Sequence, residues 1–440
     1  MDAFNENSNE QQAQQPMGCL HRFSKTIKVV IIGLLILLLM IPMFMIENLI
    51  SERGRTQEEA IDEVSEKWSL AQTITGPYLN LQYPVVTENN GEKKVSIKDL
   101  ILFPDELMVN GQLKTEILKR SIYEVNVYQS ELTLKGSFSS EELKKSRIDM
   151  EQLQFDRAAI CLNLTDMRGI SEQISITLGD SVYIFEPGMD NRGIANTGVH
   201  AIANLSELKQ NKKLPYEIKI KLKGSQSLNF IPLGKTTRVD LKANWNTPSF
   251  TGNYLPNNRN ITEKEFSAQW QVLNLNRNYS QVMVDYNTSN IKDIENSSFG
   301  VNFKIPVEQY QQSMRSAKYA ILIILLTFGV IFFTEIMNKT RIHALQYLLV
   351  GLALCLFYSL LLSFSEHIGF NPAYLLSSAL TIILVGGYMF GITKKKKPSL
   401  IMSGLLGILY LYIFVLIQLE TFALLAGSLG LLIILAMVMY

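Results

Sequence analysis

The chain has 440 residues, and its 41 Lys and Arg against 40 Asp and Glu give a net charge of +1, which offers no basis for a nucleic-acid partner. Apolar residues make up 47% of the chain, and only three residues are cysteines, which excludes a disulfide-rich scaffold. The apolar residues gather in long uncharged runs, which excludes an ordinary soluble protein.

The chain begins with an Asn- and Gln-rich stretch, and residues 1–27 are predicted to form a flexible cytoplasmic tail. The uncharged run from Val29 to Ile46 predicts a transmembrane helix over residues 28–50, since about 18 to 20 apolar residues cross a bilayer. No small-x-small cleavage site follows the run, which favours an uncleaved anchor over a signal peptide.

Residues 51–317 have the composition of a polar domain and open with the segment TQEEAIDEVSEKW. Thr56 and Glu59 have the spacing of a capping box, and an apolar stripe recurs every three or four residues, so we predict an amphipathic helix that ends at Gly76-Pro77. The stripe consists of Ile61, Val64, Trp68 and Ala71.

The rest of this domain alternates between polar and apolar residues, which is typical of half-buried strands. The segments that alternate are SIYEVNVYQSELTLKGSF, EQISITLGDSVYIF, EIKIKLK, TTRVDLKAN and QVMVDY. About ten or more strands in one stretch favour a β-sandwich or two packed sheets.

Catalytic residues are scarce in this β-rich domain. It contains one histidine, His200, predicted to be a solvated loop residue, and one cysteine, Cys161, so neither a histidine-based triad nor a zinc cluster is indicated. We therefore predict no enzyme, with no catalytic, cofactor-binding or metal-binding residues.

Five further apolar runs predict a five-helix transmembrane domain over residues 318–440. They are Tyr319 to Thr334, Ala344 to Phe364, Phe370 to Thr393, Leu400 to Leu419 and Thr421 to Tyr440. The predicted fold class is an α+β membrane protein with six transmembrane helices and a large, sandwich-like β domain between helices 1 and 2. Small residues in the spans are expected to allow close helix packing: Gly387, Gly391, Gly404, Gly407, Ala426, Gly427 and Gly430.

Basic residues near the spans predict the orientation, because they are retained on the cytoplasmic side. They occur before the first span, between the second and third spans and between the fourth and fifth: Arg22, Lys25, Lys28, Lys339, Arg341 and Lys394 to Lys397. Both termini are therefore predicted in the cytoplasm and residues 51–317 in the periplasm. Arg53 and Arg55 weaken the prediction at the first span.

Two groups of polar residues near the spans are candidate functional sites. Glu366 and His367 lie in a predicted external turn, where a charged pair reaches water at little cost, or they join Glu420 in a ring that contacts the periplasmic domain. Arg315 and Lys318 are candidate partners of Glu366 or Glu420 at this domain-membrane junction, with headgroup anchoring as the alternative.

Glu335 is predicted near the cytoplasmic surface, at the far end of the second span from Lys318. It could pair with His343 or hydrogen-bond Gln346 or Tyr347 in a cytoplasmic-side polar cluster. The alternative is a carboxylate that extends to the headgroups without a specific partner.

Several long segments resemble the CreD family of bacterial inner membrane proteins, also called cell envelope integrity proteins. They include EEAIDEVSEKWSLAQTITGPYLNLQYPV, DMRGI, PSFTGNYLP and the block from Phe299 to Leu375. The resemblance implies a Gram-negative inner membrane protein with a periplasmic domain, linked to envelope integrity and to responses to cell-wall-directed antibiotics.

The first functional hypothesis is a non-catalytic protein of envelope integrity or stress response, whose periplasmic domain is an interaction or sensing surface. Its expected partners are the lipid bilayer and unknown envelope proteins, without cofactors, and its oligomeric state stays open. A transporter or channel for an unknown solute is the alternative. Such a protein would ordinarily show charged groups within the spans or inverted repeats.

Overall fold

A computed structural model describes residues 18–89, 92–146, 148–189, 194–195, 197–210, 212–284, 288–303, 308–338 and 341–419, with isolated positions between 425 and 436. The chain divides into two compact units. The helical unit comprises Met1–Thr56 and Val307–Tyr440, and the β-rich unit comprises Gln57–Pro306. The sequence placed the corresponding boundaries at residues 51 and 317.

Eight α-helices occur in the described part of the chain. They are α1 (Gly18–Trp68), α2 (Glu141–Lys145), α3 (Thr288–Asn296), α4 (Glu308–Lys318), α5 (Ala320–Asn338), α6 (Ala344–Ile368), α7 (Phe370–Thr393) and α8 (Lys396–Gln418).

Seventeen strands lie in the described residues of the β-rich unit. They are β1 (Gln72–Asn89), β2 (Glu92–Leu102), β3 (Glu106–Arg120), β4 (Tyr123–Phe138), β5 (Ala158–Leu164), β6 (Ser175–Leu178), β7 (Ser181–Ile184), β8 (Glu186–Pro187), β9 (Gly198–Ala203), β10 (Leu214–Ser225), β11 (Ser227–Phe230), β12 (Thr236–Ala243), β13 (Ser249–Gly252), β14 (Asn258–Ile261), β15 (Phe266–Leu273), β16 (Val282–Val284) and β17 (Phe299–Asn302).

The strands form two sheets. A nine-stranded sheet has the order β13-β17-β11-β1-β5-β9-β8, with β2 paired to β1 and β16 paired to β2, and an eight-stranded sheet has the order β14-β15-β12-β3-β4-β10-β6-β7. Most neighbours are antiparallel, while β1 with β11 and β12 with β3 are parallel. This arrangement confirms the predicted α+β class.

The two sheets share one apolar core. Leu79 of β1 and Val109 of β3 belong to the same buried cluster, and Trp270 of β15 lies 5.9 Å from Phe299 of β17, ring centre to ring centre. Burial alternates along β10 because one face of the strand meets this core. The sheets therefore pack face to face, as in the predicted sandwich.

The nine-stranded sheet is covered on its second face as well. Tyr78, Cys161 and Ile294 of α3 belong to a separate buried cluster there, and every residue of β5 is buried. A strand that is buried on both faces needs no polar positions, so the continuous run AAICLNL did not show the alternation by which strands were predicted.

Three local predictions at the start of the β-rich unit and in β9 are wrong. Thr56 does not begin a helix but lies within α1, where its hydroxyl donates to the Glu52 carbonyl oxygen at 3.0 Å. The helix ends at Trp68, and Gly76-Pro77 lies within β1 as a cis peptide. His200 is buried in β9, where its Nδ1 lies 2.7 Å from the Gly188 carbonyl oxygen.

Five helices in the described residues are long and apolar enough to cross a membrane: α1, α5, α6, α7 and α8. They correspond to the first five predicted spans. The sixth predicted span, Thr421 to Tyr440, lies for the most part outside the described residues.

Helix α1 buries one narrow stripe, and Leu39 within it contacts α6. Leu35, Leu39 and Met43 recur every four residues and are buried, which places them on one helix face. A methyl group added at Gly351 of α6 would lie 2.2 Å from Leu39 Cδ1. Gly351 therefore permits the close approach of these two helices.

The glycines that the sequence predicted to allow close helix packing differ in their surroundings. Among the described residues, a methyl group added at Gly387, Gly391, Gly404 or Gly407 would meet nothing within 4 Å, so these four glycines do not bring the described helices close together. At Gly430 an added methyl would lie 1.9 Å from the Tyr412 hydroxyl oxygen, which donates to the Gly427 carbonyl oxygen at 3.2 Å.

Candidate functional site

A polar cluster in the helical unit joins α1, α5 and the start of α6. Lys28 of α1 forms an ion pair with Glu335 of α5 and donates to the Ile342 carbonyl oxygen at 2.8 Å. Tyr347 of α6 donates its hydroxyl to Glu335 Oε2 at 3.2 Å, and Lys28 Nζ lies 5.8 Å from the centre of the Tyr347 ring. We call the side chains of Lys28, Glu335 and Tyr347 the Lys28 cluster.

The Lys28 cluster is sheltered from solvent. The Glu335 side chain is 13% exposed and that of Lys28 is 26% exposed, while Tyr347 is buried. An ionised group at the edge of an apolar helix bundle is costly unless it is paired and hydrogen-bonded. The three side chains meet this requirement together.

The other two predicted members of this polar cluster have different roles. Gln346 Oε1 accepts a hydrogen bond from the His343 backbone N–H at 2.9 Å, which caps the first turn of α6. The His343 side chain is exposed. Of the three partners considered for Glu335, the structure brings only Tyr347 to it.

A second polar cluster lies at the opposite end of α6. Glu366 Oε1 accepts a hydrogen bond from the Tyr310 hydroxyl of α4 at 3.0 Å, and Arg53 Nε of α1 lies 3.9 Å from the same oxygen. The Glu366 side chain is 12% exposed. All three residues belong to the helical unit.

The predicted partners of Glu366 are not found there. Arg315 and Lys318 are exposed, and in the described part of the chain neither forms an ion pair with Glu366. Among the side chains of α4 that the structure describes, Tyr310, Ser313, Ser316 and Ala317 are buried, so the helical period directs Arg315 and Lys318 away from the bundle. His367 is exposed, and Glu420 lies outside the described residues.

A third cluster fastens the end of α1 within the β-rich unit. Asp166 Oδ2 accepts a hydrogen bond from the Leu70 backbone N–H at 2.9 Å, and Gln72 Nε2 donates to the Asp166 carbonyl oxygen at 2.7 Å. Arg168 donates from Nε to Asp166 Oδ1 at 3.0 Å and from a terminal nitrogen to the Glu66 carbonyl oxygen at 2.5 Å. A cation on the last carbonyls of a helix is favourable.

The pKa of Asp166 reports the balance of forces in this third cluster. Burial raises the pKa, but hydrogen bonds from the Arg168 side chain and from the Leu70 and Arg168 backbone N–H groups lower it by more, so the pKa lies below its ordinary value. Asp166 is 7% exposed. The carboxylate is therefore held ionised by its partners.

The sequence pointed to these clusters only in part. The sequence predicts only an effect on orientation for Lys28 and Arg53, and it predicts no role for Tyr310. Asp166 and Arg168 fall within DMRGI, one of the segments that carry the family resemblance. The predicted depth of each residue could have identified Lys28 as a partner of Glu335, since both are predicted at the cytoplasmic ends of their apolar runs.

The two side chains considered for catalysis are buried in neighbouring strands. Cys161 and His200 are register partners of β5 and β9, and Cys161 is 0% exposed. A thiol buried among apolar side chains is not a reactive nucleophile. Over the described residues, no group of three or more His, Cys, Asp and Glu could hold a metal ion.

The family model described as Inner membrane protein CreD matches residues 24–440. The chain belongs to the CreD family. It is 32% identical over 375 residues to the Inner membrane protein CreD of Escherichia coli (strain K12), an alignment that covers 84% of this chain and 81% of that protein. The chain has several apolar helices and belongs to the CreD family, so it is a multi-pass inner membrane protein.

Proposed function

We propose that this protein contributes to cell envelope integrity and to the envelope stress response without catalysing a reaction. Its β-rich unit lies in the periplasm and serves as an interaction or sensing surface coupled to the helices. The family resemblance supports the envelope role. The scarcity of catalytic side chains supports an interaction role.

The basic residues near the spans support the proposed orientation, with both termini in the cytoplasm. Lys394 and Lys395, between α7 and α8, and Lys396 and Lys397, in the first turn of α8, are exposed, and water or headgroups would have to solvate them. The described turn between α6 and α7 contains no Lys or Arg.

The observation that carries the proposal is that α1 is fastened near both ends. Lys28 is held by Glu335, and the carbonyl oxygen of Glu66 near the other end is held by Arg168. A single helix, with Pro42 inside it, runs between these points. A helix transmits a displacement better than a flexible linker does. We therefore expect that binding of a partner to the β-rich unit would displace α1 and change the contacts of the Lys28 cluster.

Envelope leakage tests the proposal. In the host bacterium, deletion of the gene should raise the release of a periplasmic enzyme into the medium, and the wild-type chain should restore retention. Lys28→Ala should restore it only in part, because Glu335 then lacks its ionic partner while the β-rich unit is intact.

Lys397→Ala is the matched control, since it removes a basic residue that has no ion pair in the described part of the chain. It should restore retention fully. Membrane levels of each variant are compared by immunoblot. A deletion strain that retains its periplasmic enzyme would contradict the envelope role, and full restoration by Lys28→Ala would contradict the coupling.

A transporter or channel is the second candidate. The observation in its favour is that the hydroxyls of Thr327, Tyr358 and Ser377 are buried among α5, α6 and α7 without a hydrogen-bond partner in the described residues. Polar groups inside a helix bundle mark solute pathways in many membrane proteins. Solute flux into proteoliposomes that Tyr358→Phe abolishes would favour this candidate over the first.

A further inference from the structure

A cleft of about 230 Å³ opens in the β-rich unit beside strands β1 and β5. Its lining is rich in neutral hydroxyls, from Thr73, Thr75, Thr165, Thr197 and Ser298. The carboxamide of Asn163 and the carboxylate of Glu295 complete the polar part. Ile194 and Ile231, which belong to the buried cluster on this face of the sheet, supply an aliphatic part of the wall.

Thr75 presents an unused hydrogen-bonding group to this cleft. The residue is 6% exposed, and its hydroxyl has no hydrogen-bond partner among the described residues. The hydroxyl oxygen is not among the fully buried side-chain atoms that lack a partner, so it is accessible from the cleft. A ligand hydroxyl that entered the cleft would satisfy it.

Two described residues at the rim of the cleft, Ala195 and Thr197, are held by Asn163 before any ligand binds. Asn163 is 3% exposed, and its Nδ2 donates to the carbonyl oxygens of Ala195 at 3.1 Å and Thr197 at 2.9 Å. Its Oδ1 accepts a hydrogen bond from the Tyr78 hydroxyl at 2.7 Å. Because the side chain that fixes the rim is itself fixed, little ordering is needed on binding.

The lining selects a class of ligand. Hydroxyls act as both donors and acceptors, as the hydroxyls of a sugar do, and a carboxylate accepts from such hydroxyls. No Lys, Arg or His occurs among the described lining residues, which disfavours phosphate and carboxylate ligands. Drug-sized ligands fill pockets of about 300–1,000 Å³, so this smaller cleft suits a single ring.

We propose that this cleft is a binding site for one neutral pyranose ring, a hexose or an N-acetylhexosamine, whether free or part of a glycan chain. The ring's hydroxyls meet Thr75 and Glu295, and its C–H face meets Ile194 and Ile231. This proposal does not depend on the envelope role, because the contacts are complete within the β-rich unit.

Saturation-transfer NMR on the full chain in lipid nanodiscs, without glycoside detergents, tests the site. Glucose and N-acetylglucosamine are the probes, with empty nanodiscs as the blank, and at least one sugar should receive saturation. Thr75→Val and Glu295→Gln should each raise the apparent Kd about tenfold, the loss of one good hydrogen bond. Thr177→Val on the exposed face of β6 should leave the Kd unchanged.

Thr75→Val removes no hydrogen bond within the described part of the protein, and Glu295 is exposed, so both variants should fold.

Tetra-N-acetylchitotetraose distinguishes the sources of the ring: tighter binding than the monosaccharide indicates a glycan chain, and equal binding indicates a free sugar. Saturation of neither probe above the blank would overturn the proposal. An unchanged Kd in both cleft variants would overturn it too.

Discussion

Single polar side chains fasten α1 near both of its ends, and each depends on partners far away in the sequence. Most of the chain lies between Lys28 and Glu335 in the sequence. Several strands of the β-rich unit lie between Leu70 and Asp166. Removing one partner of such a pair leaves the other desolvated and unsatisfied, which costs about 1–3 kcal/mol and more for a charged group. These are therefore the residues where a conservative change should have a large effect.

Asp166→Asn should destabilise the β-rich unit by about 1–3 kcal/mol at neutral pH, because a carboxamide cannot accept all the hydrogen bonds that the carboxylate accepts. Thermal unfolding of the full chain in nanodiscs, followed by loss of tryptophan fluorescence, measures the change. Asp180→Asn, at an exposed turn residue, is the control and should leave the Tm unchanged.

The same pair of variants tests the pKa of Asp166. Its pKa in the folded protein is below the ordinary 3.8, so its contribution to stability is complete above that value and is lost as the pH falls through the folded pKa. The difference in Tm between wild type and Asp166→Asn should therefore shrink in acid. A difference that grows as the pH falls would contradict the assignment.

At the scale of elements, the sequence predicted a strand well when one of its faces is buried. The segments EIKIKLK and TTRVDLKAN are β10 and β12, since their alternation reflects a core on one side. It missed β5, which is buried on both faces. The sequence also predicted two helices where the structure has the single helix α1. A polar capping pattern can occur inside a helix, so the pattern at Thr56 did not mark a helix start.

Gly351→Ala should push α1 and α6 apart, because the new methyl would lie 2.2 Å from Leu39 Cδ1 and 3.0 Å from Phe328 Cζ. Overpacking of this kind costs about 1–3 kcal/mol. The Tm of the full chain in nanodiscs should therefore fall.

Gly404→Ala is the matched control, since a methyl there meets no described residue within 4 Å and alanine favours a helix. Its Tm should be unchanged or slightly higher. The double variant Gly351→Ala/Leu39→Ala should lose less than the sum of its single changes. Additive losses would show that the two residues do not contact each other.

At the scale of the whole molecule, the orientation in the membrane rests on the distribution of basic residues near the spans. In a chain whose Cys19 is replaced by serine, Glu207→Cys should react with a membrane-impermeant maleimide in intact spheroplasts. Lys396→Cys should react only after lysis. Both positions are exposed, and the remaining cysteines, Cys161 and Cys355, are buried. The reverse pattern of labelling would place the β-rich unit in the cytoplasm and exclude the proposed periplasmic role.

The sequence by itself determined the apolar spans, the β-rich middle section and the family, because each depends on runs of neighbouring residues or on long blocks of sequence. Only the tertiary structure decided which charges meet. Glu366 contacts Tyr310 and Arg53 and not Arg315, since the helical period of α4 turns Arg315 outward. Pairing across helices depends on rotation and depth set by packing along the whole length of each helix, and no local pattern in the sequence contains that information.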